Sequence, residues 1–485
     1  MSRKKYLTLI PLLLAQILTA SCGVEQPQTE TSGDSSEEVS TEADAPKDIL
    51  DTFPTVDFGG RAFNIVSSPV DKADYNELSP ESVNGEVIND SVYERNIKVQ
   101  NKYNVEIKWL ESGRDETANF IRNSVQAGDD SFEYAICPAW QSGGLAADGV
   151  FYNLRDVPYV DLTKPWWNQS VVDSLTVNGQ TYIGQNDIPI YTVITMNHIM
   201  YFDKKLAEDN GIEDIYALVD DGKWTLDKFA ELSATVGADL NGDSKMDLDD
   251  QYGFLSTTGS LSIFLPSCDQ SIMKRGSDGY PELALNCEKT VNIIEKIRTI
   301  CNDKANSKVG DISHGDEYIR MFVNGQALFF SGYISDVGYF RDMSDDFGLI
   351  PAPKYDENQE KYYTLIQGTS AMCGVPASVQ ESDLEFVGLV SESLAALSNQ
   401  DTRGAVYDAF LKGKILRDEE SIKNLDMISG NIVADFGFIY DYGLAFPIWR
   451  TIEQKKDFAS WYAKLLPQVE ENYAKLMETF KGATN

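Results

Sequence analysis

From about residue 55 onward the apolar positions change period repeatedly, between the spacing of helices and that of strands. Arg61–Ser68 reads as a strand with Phe63 and Ile65 on one face. Val87–Tyr103 carries Ile88, Val92, Asn96, Val99 and Tyr103 at helical spacing, and Val105, Ile107 and Trp109 then alternate as a half-buried strand. Asp115–Ala127 is a second helix and Phe132–Cys137 a short buried strand. Asn178-Gly179 turns a hairpin within Leu175–Gly184, because this dipeptide suits the tightest two-residue turn. The apolar run Ile188–Tyr201 leads into a helix over Asp203–Asp209, and Thr225 caps a helix that presents Phe229, Leu232 and Val236 on one side. Thr290–Asn302 and Glu317–Val323 are helical, the latter stopped by Asn324-Gly325 before a strand at Gln326–Phe330. Leu384–Leu397, Asp401–Leu411 and Phe458–Phe480 complete the pattern as helices, and no internal repeat is present. Helices alternating with strands imply α/β units around largely parallel sheets.

The N-terminus has a different pattern. Arg3, Lys4 and Lys5 precede the apolar run Tyr6–Leu18, which is too short to span a bilayer, and Thr19-Ala20-Ser21-Cys22 follows. This reads as a secretory signal over residues 1–21, and the cysteine at the cut makes it resemble a bacterial lipoprotein signal, with Cys22 as the lipidated first residue. Residues 22–54 read as an acidic tether, since Gln26–Asp48 lacks the large apolar side chains needed to offset chain entropy. The expected location is the extracellular face of the cytoplasmic membrane, reached by a lipid anchor.

Charge narrows the function. The net charge is −35; the signal carries +3 and residues 22–50 carry −7, so the body keeps −31. That excludes a nucleic-acid binder, which needs a basic face. Apart from Cys22 there are Cys137, Cys268, Cys287, Cys301 and Cys373, an odd number in no metal or redox spacing, and only His198 and His314 as histidines. Histidine-based catalysis and histidine-rich metal sites therefore have little to draw on. No catalytic motif is visible, and the expectation is a monomer that is not an enzyme.

The sharpest local motif is the twelve-residue stretch Asp239–Asp250. Oxygen ligands from Asp239, Asn241, Asp243, the Lys245 carbonyl, Asp247 and Asp250 follow the order of a calcium loop, with Met246 as its apolar plug. Ser244 stands where a glycine would give the sharp turn, and Asp250 where a glutamate is usual. The expected cofactor is a structural calcium ion.

Three segments resemble the extracellular solute-binding proteins of ABC importers, in the carbohydrate-associated family 1. They are Met200-Tyr201-Phe202-Asp203-Lys204-Lys205-Leu206 continuing to Trp224–Phe229, then Met321–Phe329, then Phe347–Pro353. The resemblance implies a type II periplasmic-binding fold, two α/β lobes joined by crossing hinge segments near Thr192–Thr195, Phe329–Ser331 and Gln367–Ser370. It places one lobe at 55–192 and 331–368 and the other at 193–330 and 369–485. It further implies a carbohydrate ligand, an oligosaccharide, held between the lobes and passed to the transmembrane subunits of a permease. Sugars need aromatic platforms beside amides and hydroxyls. The residues expected at the site are Ser67, Ser68, Trp140, Gln141, Ser331, Tyr333, Gln367, Tyr440, Tyr442 and Trp449. An exported glycoside-active enzyme and a ligand-sensing lipoprotein are the alternatives.

Overall fold

A computed structural model describes residues 48–68, 77–341, 343–441, 444–445, 447–453 and 456–482. The signal, Cys22, tether residues 22–47 and Tyr442 lie outside them. Residues 48–54, expected as the end of a tether, instead belong to the folded body, for Asp48 caps a helical turn at Ile49–Thr52 and Leu50 is buried. An apolar anchor at Leu50 ties this stretch to the folded body.

The chain first builds β1 (Arg61–Ser67), α1 (Val87–Tyr103), β2 (Val105–Glu111), α2 (Thr117–Gln126), β3 (Tyr134–Pro138) and α3 (Ala139–Ala147). These follow the apolar periods, and α1 buries the expected stripe from Ile88 to Tyr103. Asn104 ends α1 in the left-handed conformation at φ 50°, one that asparagine tolerates better than most residues. β1 pairs in parallel with both β2 and β3. A six-residue helix at Ile190–Thr195 then carries the chain out of this lobe.

The second lobe holds β4 (His198–Asp203), α4 (Leu226–Ser233), β5 (Tyr252–Thr257), α5 (Glu288–Asn302), β6 (Ser307–Gly310), α6 (Gly315–Val323), β7 (Ala327–Tyr333) and β8 (Phe347–Ile350). Its five strands lie in the order β8-β4-β7-β5-β6. β4 runs antiparallel to β7 and β8, while β5 runs parallel to β6 and β7. Thr225 caps α4 by accepting from Lys228 N–H at 3.3 Å. Phe229 then packs edge-on against Phe254 at 5.0 Å in the centre of the lobe. Trp224 is fully buried beside it and donates Nε1–H to the Pro351 carbonyl at 2.9 Å, a helix-docking role.

The chain returns to the first lobe as β9 (Ala371–Gly374), antiparallel to β3, and the first sheet reads β9-β3-β1-β2. α7 (Leu384–Leu397) covers that sheet, and its buried Glu392 accepts from Trp166 Nε1 at 2.7 Å and Trp167 Nε1 at 2.8 Å. Both tryptophans are thus packing residues, held by one carboxylate. Ser398–Thr402 and Ala405–Ile415 follow as π-helical turns where an α-helix was expected, and α8 (Glu419–Ser429) packs on β8.

This corrects the expected lobes. No crossing occurs at Phe329–Ser331, because β7 stays paired with β4 through Tyr333. Residues 347–350 belong to the second sheet and 371–374 to the first, the reverse of the expected assignment. The crossings are the 190–197 segment, the segment around Gln367–Ser370, and the π-helical stretch. All five cysteines of the body are free, and only Cys287 is exposed. Among the described residues no helix is long and apolar enough to cross a membrane.

Candidate functional site

The parallel strands set the position of the cleft. β1, β2 and β3 of the first lobe end at Ser67, Glu111 and Pro138, and β5, β6 and β7 of the second end at Thr257, Gly310 and Tyr333. Loops leaving these ends line three neighbouring cavities, all bordered by Arg114 and Thr369. Open α/β sheets place ligands at such carboxyl ends.

The innermost space, about 40 Å³, lies among Ser67, Ser68, Glu77, Arg114 and Thr192. Glu77 is buried and accepts from both the N–H and the hydroxyl of Thr192. Burial pushes its pKa up, while the Thr192 donors and Arg95 pull against the rise. The second, about 420 Å³, is walled by Thr257, Ser260, Ile312, Asp316, Ser331 and Tyr333. Asp336 accepts from Tyr333 N–H at 2.8 Å and fixes the start of the turn that forms this wall. The third, about 210 Å³, has Trp140, Ile312, Tyr333 and Phe438 as apolar lining and His198, Ser262 and Gln367 as polar lining.

Trp140 is 40% and Ile312 67% exposed, unusual for large apolar side chains. They reach the same cavity from opposite lobes. Trp140 stands on the first turn of α3, where the N–H groups of Ala139 and Trp140 donate to the carbonyls of Ser370 and Gly368, each at 2.9 Å.

His198, at the start of β4, is buried against the Tyr333 ring at 4.9 Å. Ser262 Oγ donates to the Gly259 carbonyl at 2.8 Å, so its 3.2 Å contact with His198 requires Nε2 to carry the proton. Nδ1 is then an acceptor with no protein partner, as the Ser331 hydroxyl is also without one. Burial drives the His198 pKa down to about 3, so the ring is neutral at ordinary pH.

Ser67, Ser68, Trp140, Ser331, Tyr333 and Gln367 therefore meet in one connected cleft. Gln141 and Tyr440 line an adjoining cavity on the other side of Trp140. Trp449 corrects the expected set: it is 1% exposed, packs in the core beside Ile448 and lines none of these spaces. Arg114, His198, Ile312 and Phe438 were not anticipated. Arg114 follows β2 as Trp140 follows β3, and that strand-end position was a usable signal.

The Asp239–Asp250 loop lies in the second lobe. Gly242 and Ser244 take positive φ of 74° and 65°, so the serine adopts the turn conformation that glycine usually supplies. Asp239 accepts from Gly242 and Ser244 N–H, and buried Asp250 from Leu240 and Asp247 N–H. The donor set suits calcium in kind, being all oxygen. Yet its carboxylates are turned to loop amides, and among the described residues no three His, Cys, Asp or Glu side chains are gathered to hold a metal.

Two α/β lobes, with a polar cleft across their strand ends and crossing segments at its base, define a two-lobed binding protein. The chain belongs to the bacterial extracellular solute-binding proteins, whose family model matches residues 98–387. The same fold occurs in maltose-bound MalE3 of T. maritima, at 14% identity and a TM-score of 0.51, over 87% of this chain and 100% of that one. UgpB of Mycobacterium tuberculosis, in complex with glycerophosphocholine, gives 16% identity and a TM-score of 0.54 over 88% and 100%. The substrate-binding protein Lmo0181 of Listeria monocytogenes, in complex with cycloalternan, gives 12% and 0.53 over 87% and 99%. No curated protein matches the chain.

Proposed function

We propose that this chain is the membrane-anchored capture component of an ABC importer and binds a carbohydrate, an oligosaccharide, between its lobes. The observation that carries the reading is the cavity shared by exposed Trp140 and Ile312, bordered also by Ser262, Tyr333, Gln367 and Thr369. Sugar rings offer apolar faces to the first two and hydroxyls to the rest. Maltose and cycloalternan, bound by relatives of the same fold, are ligands of this chemistry.

Lobe closure about the crossings would bury the ligand, and the closed population would rise with its concentration. Lipidation at Cys22 would keep the receptor beside its permease, and the acidic tether would give it reach. The Asp239–Asp250 loop would take calcium by turning its carboxylates inward, stiffening the second lobe away from the cleft. Function is by capture and release, without turnover of the ligand.

A thermal-shift screen against a panel of oligosaccharides tests the reading, because a ligand that binds only the folded state raises the melting midpoint. Some member of the panel is expected to raise it. A shift by a non-glycan polar solute, with none by any glycan, contradicts the carbohydrate assignment.

A further inference from the structure

Ile312 is 67% exposed, the highest value among the large apolar side chains of the described residues. Its own turn holds it there. Asp311 accepts from Ser313 N–H at 2.8 Å through its side chain and from His314 N–H at 3.1 Å through its carbonyl, and the His314 ring stacks on Tyr318 at 5.8 Å. The tip of the Ile312 side chain rests over Gly259, 3.4 Å from where a Cβ would stand. Ile312 borders both the 420 Å³ and the 210 Å³ spaces, and it shares the smaller one with Trp140 of the other lobe.

The polar groups around that smaller space are largely spent on one another. Gln367 Oε1 accepts both the N–H and the hydroxyl of Thr369. Ser262 Oγ donates to the Gly259 carbonyl at 2.8 Å and contacts His198 Nε2 at 3.2 Å, and the Gly368 carbonyl takes Trp140 N–H at 2.9 Å. Arg114 and Asp115 pair with each other at 3.6 Å. The Nε2 donors of Gln367 remain for ring hydroxyls. The larger space differs, because Thr257, Ser260, Ser313, Ser335 and Asp316 give it a hydroxyl-rich wall.

A hydroxymethyl group placed between Trp140 and Ile312 would lose its water without regaining a partner. An acetamido group would bury an N–H and a carbonyl at the same cost. A methyl group gives up no hydrogen bond and covers apolar surface on both lobes.

We propose that the ring bound between Trp140 and Ile312 is a 6-deoxyhexose, and that Ile312 is the residue that selects its methyl group. The inference rests on the carbohydrate reading above and names the class of sugar. The methyl group fills the space that Ile312 and Trp140 share, and the hydroxyl-rich wall receives the more polar remainder of the glycan.

Calorimetric titrations of sugars that differ only in the C6 hydroxyl test it. The pairs are 6-deoxy-D-glucose with D-glucose, L-rhamnose with L-mannose, and L-fucose with L-galactose. Longer arms are rhamno-, malto- and chito-oligosaccharides. In wild type, a deoxy member should bind about tenfold or more tightly than its hydroxylated counterpart, ~1.4 kcal/mol. Ile312→Thr should bring that ratio to within about twofold while leaving the melting midpoint in place, and Ile312→Val should keep it. Hexose or N-acetylhexosamine glycans that bind wild type as tightly as the deoxy members, or a preference kept in Ile312→Thr, overturn the deoxyhexose assignment while the carbohydrate reading stands. Failure of every glycan to bind wild type overturns both.

Discussion

The backbone N–H of Trp140 donates to the carbonyl of Gly368 at 2.9 Å. An exposed aromatic side chain that borders the cleft from the first lobe is therefore bonded directly to a segment that crosses between the lobes. A ligand resting on that indole would press on the crossing itself, so that binding and closure draw on the same contact.

Replacing Trp140 by Ala should separate binding from folding. The residue is 40% exposed and so buries more than half of its indole, and stability should fall by about 1–3 kcal/mol without loss of the fold. Glycan affinity should fall by about tenfold or more, as for loss of a central aromatic anchor. Chemical denaturation and calorimetry read the two effects separately.

The neighbouring glycines of α3 should behave in opposite ways. A Cβ at Gly143 would meet the backbone of Ile439 and Tyr440, the latter Cα at 2.6 Å, whereas Gly144 has open space. Gly143→Ala should cost about 1–3 kcal/mol by forcing α3 away from the 439–441 segment. Gly144→Ala should be neutral or slightly stabilising, since alanine favours the helix. Urea denaturation of the two variants makes the comparison.

Glu392 should give stability a pH dependence. Burial pushes its pKa up from 4.5 to about 7, against the pull of the two indole donors. An acid whose pKa is raised by folding contributes fully below its unfolded value, and that contribution is lost as pH climbs through the folded one. Stability attributable to Glu392 should thus decline by roughly 3 kcal/mol between pH 4.5 and 7. Asp435, raised to about 6 by burial, acts in the same direction. Glu392→Gln should start less stable, because an amide cannot accept from both indoles, and should show a flatter profile over this window. Melting curves at half-unit pH steps check it.

The calcium proposal is testable without any glycan. Titration of calcium into wild type should give saturable heat that the Asp239→Ala, Asp243→Ala double variant lacks. Equal heats from both proteins, or none from wild type, refute the loop as a metal site.

Local features of the fold were legible in the sequence where chemistry is local. Thr225 caps α4, Asp203 accepts from Leu206 N–H at 2.9 Å to begin the next helix, and Asn178 and Gly179 both take positive φ. Sheet membership was not legible. Phe347–Ile350 and Ala371–Gly374 are both four-residue, fully buried strands, and their apolar character says that they are inside without saying in which lobe. β7 was mistaken for a crossing because a buried central strand and a buried hinge strand have the same composition. The site followed a similar rule. Trp140 was found because it follows a predicted strand, whereas Ile312 follows β6, a short strand of intermediate burial that left no apolar run to read. Trp449 was misplaced because aromatic content does not distinguish a wall from a core.

The central claim is that the cleft binds a carbohydrate on Trp140. Its most direct test is calorimetric titration of the purified folded body with the oligosaccharide that shifts its melting midpoint furthest, repeated on Trp140→Ala. Saturable binding by wild type, weakened about tenfold or more in a variant that still unfolds cooperatively above the titration temperature, is the predicted result. Undiminished binding in the variant, or no glycan binding to wild type at all, would contradict the account.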